Sequence, residues 1–436
     1  MEILRYTDPD FATGLKKLLR KATPQEAVEN TVREILRDVR SHGDSAVIAC
    51  TERFGGPRLT PETLRETRKA TVALKTRRAV AAAHKNVRSF ARKSLRKNWQ
   101  MKNAQGALTG ERFMPFERVG IYVPGGTAPL VSTAIMTVTL AAAAGVPEIV
   151  VTTPADASGN VNDALLFALE YAGATEVYKI GGAQAIAAMA YGTQTIKGVQ
   201  KIAGPGNAYV VEAKRQVFGE VAIDLLPGPS EVLVLADESA HASWVAAELL
   251  AQAEHGKGSG LVFVTTSAHL LEAVQTELLR QTLLLSRREH LEGVLASGAH
   301  LVLVETMDKA VELCNAYAPE HCAIVTTAPD SIGEQIHTAG ALFLGAFSPV
   351  AAGDFMAGPS HTLPTGGGGK SFPGLMADMF QRRTSWVKMD RDALEKSVPI
   401  IEAFSTLEGL DAHGRSASIR LESEAASSLA SPLGPP

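Results

Sequence analysis

The chain has 436 residues, 45% of them hydrophobic and 20% charged, and a formal charge of -3 at pH 7. That length accommodates two or three domains with their own cores, and the near-neutral balance excludes a global electrostatic drive toward nucleic acid or an anionic membrane, leaving a small molecule or another protein chain as partner. Cys50, Cys314 and Cys322 are too few and too scattered for a disulfide framework or a thiolate zinc cage, which fits a reducing cytoplasm.

The first residues carry Glu2, Arg5, Asp8 and Asp10 without an apolar core, so they do not read as a signal peptide, and 1–18 are taken as an arm. Residues 26–45 repeat with helical period, placing Val28, Val32, Ile35, Leu36 and Val39 on one face. A second helical region over 61–95 is rich in Lys and Arg. It reads as a solvated face, because acidic residues elsewhere balance it. From Arg118 the pattern changes. Val119-Gly-Ile-Tyr-Val-Pro-Gly-Gly126 is a predicted strand and turn, followed by an Ala-rich stretch over 130–146 that Ser132, Thr133, Thr137 and Thr139 interrupt. That stretch is a buried helix by its composition, not a membrane span.

Strands at 148–152, 176–180 and 201–202 then alternate with helices at 162–171 and 185–189. A second run places strands at 231–235, 260–265, 299–304, 322–326 and 341–344, with helices at 243–253, 270–283 and 307–316. Such alternation predicts two Rossmann-like, incomplete, parallel α/β domains with small helical regions at the two termini. The expected division is a discontinuous first α/β domain of 19–121 and 233–376, and a second of 122–232. A C-terminal helical region of 377–421 and a disordered Ser/Ala/Pro-rich tail of 422–436 follow. Four glycines at 366–369 read as a flexible loop or hinge.

Four segments carry side chains suited to chemistry. In Leu249-Leu-Ala-Gln-Ala-Glu-His-Gly256, Gln252 and His255 are three apart on a helix, and Gly256 ends it. In Tyr317-Ala-Pro-Glu-His-Cys322, Glu320 and His321 stand at a strand entrance, where one could activate water and the other take a hydroxyl proton. Asp354 and His361 lie in an irregular Gly/Pro-rich loop, and Glu408 and His413 lie in the C-terminal helical region. Taken alone, the His255 segment reads better as a cap or surface residue and the Glu320–His321 pair as an ordinary polar turn, and no single segment of the four justifies a metal site. Two glycine turns, Ile180-Gly-Gly-Ala-Gln184 and Ala203-Gly-Pro-Gly-Asn207, follow strands and could present backbone N–H groups to phosphate, although neither fits G-x-G-x-x-G and both read as well as plain βα turns.

Taken in order and spacing, these segments resemble the histidinol dehydrogenase family over roughly residues 26–421. The match is carried by Val-Gly-Ile-Tyr-Val-Pro-Gly-Gly, Gly-Gly-Ala-Gln-Ala-Ile-Ala-Ala, Gly-Pro-Gly-Asn-Ala, Gly-Pro-Ser-Glu-Val-Leu-Val, Leu-Leu-Ala-Gln-Ala-Glu-His-Gly, Pro-Glu-His, Ala-Gly-Asp and His-Thr-Leu-Pro-Thr. The resemblance implies a four-electron oxidation of L-histidinol to L-histidine through L-histidinal with two NAD, the last step of histidine biosynthesis. It implies one zinc ion per subunit, held by Gln252, His255, Asp354 and His413, that orients the substrate. His321 would take the alcohol proton and Glu320 would activate water. Ser230, His361 and Glu408, with the ligand and catalytic positions, would contact substrate. Tyr122, Gln184 and Asn207 would meet NAD. Family members are homodimers whose C-terminal region enters the partner's site, so Glu408 and His413 would come from a second copy.

The chain departs from the usual family pattern at Ser360, at Cys322 and over 372–380. The alternative this leaves is a zinc- and NAD-linked dehydrogenase of another small alcohol, such as a sulfopropanediol. A rival mechanism makes Cys322 a thiol nucleophile, against the reading of Cys322 as an inert strand residue. A non-catalytic α/β binding protein is opposed by the intact Glu320, His321 and ligand positions.

Overall fold

The computed structural model describes residues 1–19, 26–125, 129–256 and 258–422. Gly126, the end of the first glycine turn, and all but the first residue of the 422–436 tail lie outside them.

Parallel strands form here where short runs of Val, Ile, Leu and Ala are apolar on both faces, because helices cover both sides of such a sheet. Glu231–Ala236 is buried at every position after the first. It lies in a six-stranded, all-parallel sheet ordered Glu2–Arg5, Ala299–Leu303, Gly260–Thr265, Glu231–Ala236, His321–Val325 and Ala341–Leu344. A second parallel sheet is ordered Glu176–Tyr178, Glu148–Thr152, Arg118–Tyr122, Lys201–Ala203 and Ala222–Ile223. In each sheet the α/β run starts on an interior strand, adds neighbours to one side, then crosses to the other. Each therefore has a switch point. In the first sheet it falls between Glu231–Ala236 and His321–Val325; in the second, between Arg118–Tyr122 and Lys201–Ala203.

The Ala-rich stretch forms the helix Val131–Ala144, buried nearly all round and stopped by Gly145 in the left-handed region at φ 88°. Glu26–His42 packs on Gly182–Tyr191 and Ala208–Val217, and Leu74–Ser94 packs on Val131–Ala144. The helices between residues 26 and 94 thus share cores with the second sheet. That grouping differs from the expected union of 19–121 with 233–376, which the spacing of strands alone could not exclude. Residues 1–18 are also more than an arm: Glu2–Arg5 pairs with Ala299–Leu303 as the outer strand of the first sheet, and Phe11–Leu18 is helical.

Residues 1–95 and 116–380 make one compact unit, and residues 96–115 with the chain from 381 onward make another. The smaller unit is not purely helical as expected. Gln381–Lys388, Leu108–Pro115 and Trp99–Lys102 form a three-stranded antiparallel sheet, and the helices Arg391–Glu408 and Asp411–Ser418 follow it. Among the described residues no helix is long and apolar enough to cross a membrane.

Candidate active site

A cavity of about 350 Å³ opens beside the edge strand Ala341–Leu344, lined among others by His321, Asp354, Ser360 and His361. The helix Met307–Tyr317 leads to its inner wall. Ala318 ends that helix in the left-handed region, at φ 54°, a conformation that is costly for any residue with a Cβ. Pro319 then turns the chain so that Glu320 and His321 meet the start of the first sheet. Both are buried.

One residue of the neighbouring strand holds this pair through its backbone. The Glu231 N–H donates to Glu320 Oε2 at 2.9 Å, and the Glu231 carbonyl lies 3.0 Å from His321 Nδ1. A carbonyl only accepts, so the His321 proton sits on Nδ1 and Nε2 keeps its lone pair. Nε2 is buried, lacks a protein partner, and lies 3.6 Å from Asp354 Oδ1. Burial pushes the imidazole pKa down to about 3, against the opposing hydrogen bond to Glu231 and with help from His361 and His255. His321 is therefore neutral near pH 7, with its accepting nitrogen free.

The acids around it move the other way. Burial raises Glu320 well above the carboxylate range, with Glu231 and Asp354 adding repulsion, while the Glu231 amide and the Ser230 side chain oppose. Burial pushes Glu231 up to about 7; its Oε1 accepts from the Gly366 N–H at 3.1 Å, which pins the supposed glycine hinge at that point. Asp354 is also raised to about 7, by burial first and by Glu248 second. Asp354 is not in an irregular loop, as expected, but on the short helix Val350–Phe355, whose first N–H donates to Glu248 Oε1 at 2.8 Å.

His361 is committed on both ring nitrogens. Nδ1 lies 3.0 Å from the Asp354 carbonyl, so it donates there, and Nε2 accepts from Thr133 Oγ1 at 3.1 Å. Burial lowers its pKa to about 4. Its neighbour Ser360, one of the departures from the family pattern, is buried and donates to the Met136 carbonyl at 3.1 Å. Thr133 and Met136 belong to a helix of the second sheet, so this wall joins the two layers. Cys322 faces away from such chemistry. It is fully buried, 3.4 Å from Cys314 Sγ, and its thiol pKa is raised well above the ordinary value by the Cys314 hydrogen bond and burial. That leaves no thiolate to act as a nucleophile.

Gln252 is in the last turn of Ala242–Ala253, buried, with an amide nitrogen that meets no partner. Glu248, one turn earlier on that helix, is close enough to Asp354 to raise it. His255 stands just past the helix end, its N–H 3.2 Å from the Gln252 carbonyl. Its ring reaches solvent, yet the surrounding protein still lowers its pKa. Among the described residues no three His, Cys, Asp or Glu side chains are arranged to hold a metal ion. Glu408 and His413 belong to the smaller unit, where they line a groove of about 220 Å³ with Ile400, Phe404 and Leu410.

The expected nucleotide positions gather at the switch point of the second sheet. Tyr122 ends the central strand, and its buried hydroxyl accepts from the Gly182 N–H at 3.1 Å. Gln184, in the first turn of Gly182–Tyr191, is buried with an unpartnered amide oxygen. Asn207 caps Ala208–Val217, its side chain accepting from the N–H groups of Tyr209 and Val210. Ligands of open parallel sheets bind at such crevices, beyond the carboxyl ends of the strands.

Sequence reasoning named Glu320, His321, Asp354 and His361 but passed over Glu231, Glu248 and Thr133. Glu231 stood in the Gly-Pro-Ser-Glu motif, yet its main task here falls to its backbone, which residue type does not reveal.

A family model for histidinol dehydrogenase matches residues 18–421. The chain is 41% identical over 413 residues to the histidinol dehydrogenase of Geobacillus kaustophilus, covering 94% of this chain and 97% of that one. It is 42% identical over 414 residues to the Bacillus subtilis histidinol dehydrogenase, covering 93% and 96%. The crystal structure of histidinol dehydrogenase from Elizabethkingia anophelis superimposes with a TM-score of 0.90 at 33% identity, covering 99% of each chain.

Proposed function

The chain belongs to the histidinol dehydrogenase family, and from that premise we propose that it oxidises L-histidinol to L-histidine through L-histidinal, reducing two NAD. The observation that carries this reading is the buried, neutral His321 with a free Nε2 on the cavity. In the first half-reaction the hydroxyl proton passes to Nε2 as hydride leaves the carbinol carbon for NAD, giving aldehyde and NADH. Water then adds to the aldehyde, Glu320 accepting its proton while the protonated His321 returns the first proton to the carbonyl oxygen, which gives the neutral hydrate and frees Nε2 again; a desolvated carboxylate with a raised pKa is a stronger base than an ordinary one. The hydrate loses a second hydride to NAD and a second proton to His321, giving the carboxylic acid. Ser230 steadies Glu320, and His361, held on both nitrogens, shapes the cavity wall.

NAD is placed at the switch point of the second sheet, against Tyr122, Gln184 and Asn207. Zinc is read into the site from its donor set. The buried, unpartnered amide of Gln252 is an orphan that a ligand would satisfy, and an amide assigned with its nitrogen inward can equally present its oxygen. Gln252, His255 and Asp354, with His413 of a second copy, would hold the ion, which when bound anchors and orients the amino alcohol. The homodimer is supported by the groove carrying Glu408 and His413, whose neighbours Phe404 and Leu407 are 59% and 80% exposed. The three free, buried cysteines fit a reducing, cytoplasmic setting.

The test is NADH formation from L-histidinol beside a panel of primary alcohols that includes a sulfonated propanediol. Two NADH per L-histidinol, with the other alcohols left unreacted, is the expected result. Preference for the sulfonated alcohol, or a stoichiometry that stops at one, overturns the reading.

A further inference from the structure

The crevice of the second sheet is backed by a buried ion pair to which no role in binding or catalysis has been given so far. Lys214, on Ala208–Val217, meets Asp224, which follows Ala222–Ile223, and both side chains are 0% exposed. Each also holds one backbone group of Gly204. Lys214 Nζ donates to the Gly204 carbonyl at 2.9 Å, and the Gly204 N–H donates to Asp224 Oδ2 at 2.8 Å. Gly204 is the first residue of the Gly-Pro-Gly-Asn turn and lies in the left-handed region at φ +115°. A Cβ there would stand 2.1 Å from the Tyr122 carbonyl oxygen, so the turn rests directly against the end of the central strand. The pair thus ties together the strand end at Tyr122, the turn, and the helix that Asn207 caps.

Stability alone is a weak reason for this arrangement. A fully buried ion pair contributes little more than well-packed apolar side chains of the same volume, because desolvation offsets the attraction. The helix is already capped by Asn207. Lys201, also buried beside Asp224, donates instead to the Ile223 carbonyl at 2.9 Å and leaves the turn alone. What distinguishes Lys214 and Asp224 is that together they satisfy both polar groups of one glycine at the switch point.

We propose that Lys214 and Asp224 are positioning residues for the dinucleotide, fixing Gly204 so that the turn and the N-terminus of Ala208–Val217 are preformed to receive NAD. The inference rests on the siting of NAD at this crevice. The pair acts through the turn and touches neither histidinol nor the proton-transferring groups. Its removal therefore weakens NAD and spares the amino alcohol.

The experiment is steady-state kinetics on the intact enzyme with three variants. Lys214→Met/Asp224→Asn removes both charges of the pair together. It is expected to raise the KM for NAD about tenfold, the factor expected from losing hydrogen bonds to charged groups. The KM for L-histidinol and the kcat at saturating NAD are expected to stay within about twofold, a split that loss of folding would not produce. Lys214→Met alone, which leaves Asp224 the neighbouring Lys201 as counter-ion and keeps its bond to the Gly204 N–H, is expected to move in the same direction by less, and it carries the test if the double variant fails to fold. Lys201→Met, which removes a buried lysine beside the same aspartate, is expected to leave the KM for NAD unchanged. Folded variants with an unaltered KM for NAD, or an equal loss for both substrates, overturn the inference. Gln184→Ala separates that outcome from a wrong cofactor site: if it raises the KM for NAD while the pair variants do not, only the inference falls. If it too has no effect, the siting of NAD falls with it.

Discussion

The two parallel sheets are built alike and treat the amino ends of their strands in opposite ways. In the second sheet those ends begin with Arg118, Glu148 and Glu176. Arg118 is buried and donates to Glu148 Oε2 and to Glu176 Oε1, both at 2.7 Å. Its guanidinium holds Glu176 below the usual carboxylate range. In the first sheet the same end carries Glu231, Glu320 and His321. Among the described residues no Lys or Arg acts on these two carboxylates, so burial raises both. One end is neutralised by a buried cation; the other keeps buried acids without one, and it is there that proton transfer is proposed. At the carboxyl ends the roles reverse. The switch point of the first sheet is tied across by Asp237, whose Oδ2 accepts from the N–H of Thr327 at 2.8 Å. That of the second is the glycine turn at 204–206. A sheet that keeps its acids unpaired can use them as bases; one that pairs them gains a rigid frame on which to seat a cofactor.

Four substitutions probe this contrast. The largest effect is expected for His321→Gln, which keeps a polar side chain at the corner but removes the neutral acceptor. NADH formation should fall by about 10²- to 10⁴-fold, the usual range for a lost general base, while NAD titrates with little change in affinity. Wild-type rates would break the contrast at its reactive end.

Next is Arg118→Met, which takes from Glu176 the only cation directly hydrogen-bonded to it among the described residues and leaves Glu148 with the exposed Lys197. About 3 kcal/mol of stability should be lost, read by denaturant unfolding, with the KM for L-histidinol little altered. A variant as stable as wild type would show that this cluster is no frame.

The pH dependence sharpens the comparison, because the two ends carry opposite signs. Glu176, depressed in the folded protein, contributes stability that is present above its unfolded pKa and lost as the medium is acidified. Glu231, raised to about 7 from 4.5, binds a proton more tightly folded than unfolded, so stability declines as pH rises between those values. Glu231→Gln should therefore stabilise the metal-free protein on the order of 1 kcal/mol at pH 8 and scarcely at all at pH 4.5. Thermal melts at the two pH values check it, and equal shifts at both would contradict the assignment.

The smallest effect is expected for Cys322→Ala: unchanged turnover and a loss of about 1 kcal/mol for the vacated volume. Abolished aldehyde oxidation with intact folding would instead revive the thiol nucleophile.

The interior of the fold was legible because its signals are local. Glu148–Thr152, Gly260–Thr265 and Ala341–Leu344 fall where apolar runs end at turn residues, and Asn162 and Gly173 bracket the helix Asp163–Ala172 with side chain and left-handed caps. The antiparallel strands were not legible. Gln381-Arg-Arg-Thr-Ser-Trp-Val-Lys is mostly exposed and polar, so no alternation marks it, and its partner Leu108–Pro115 lies far away in sequence. Glu2–Arg5 was missed for the same reason, pairing with a strand almost 300 residues later. Within the site, Glu320 and His321 could be named from residue type, whereas the two hydrogen bonds with the Glu231 backbone, which hold Glu320 and fix the His321 tautomer, arise only when two strands distant in sequence pair. Asp354 was placed on the right stretch but the wrong element, because six residues containing a glycine carry no helical period.

The most direct test of the central claim is nitrogen NMR of the enzyme labelled with ¹⁵N-histidine, with His321→Gln used to assign its resonances. A neutral ring protonated on Nδ1, with Nε2 bare and no titration between pH 5 and 8, is the expected result. A ring that gains a proton near pH 6.5, or carries it on Nε2, would contradict the corner described here.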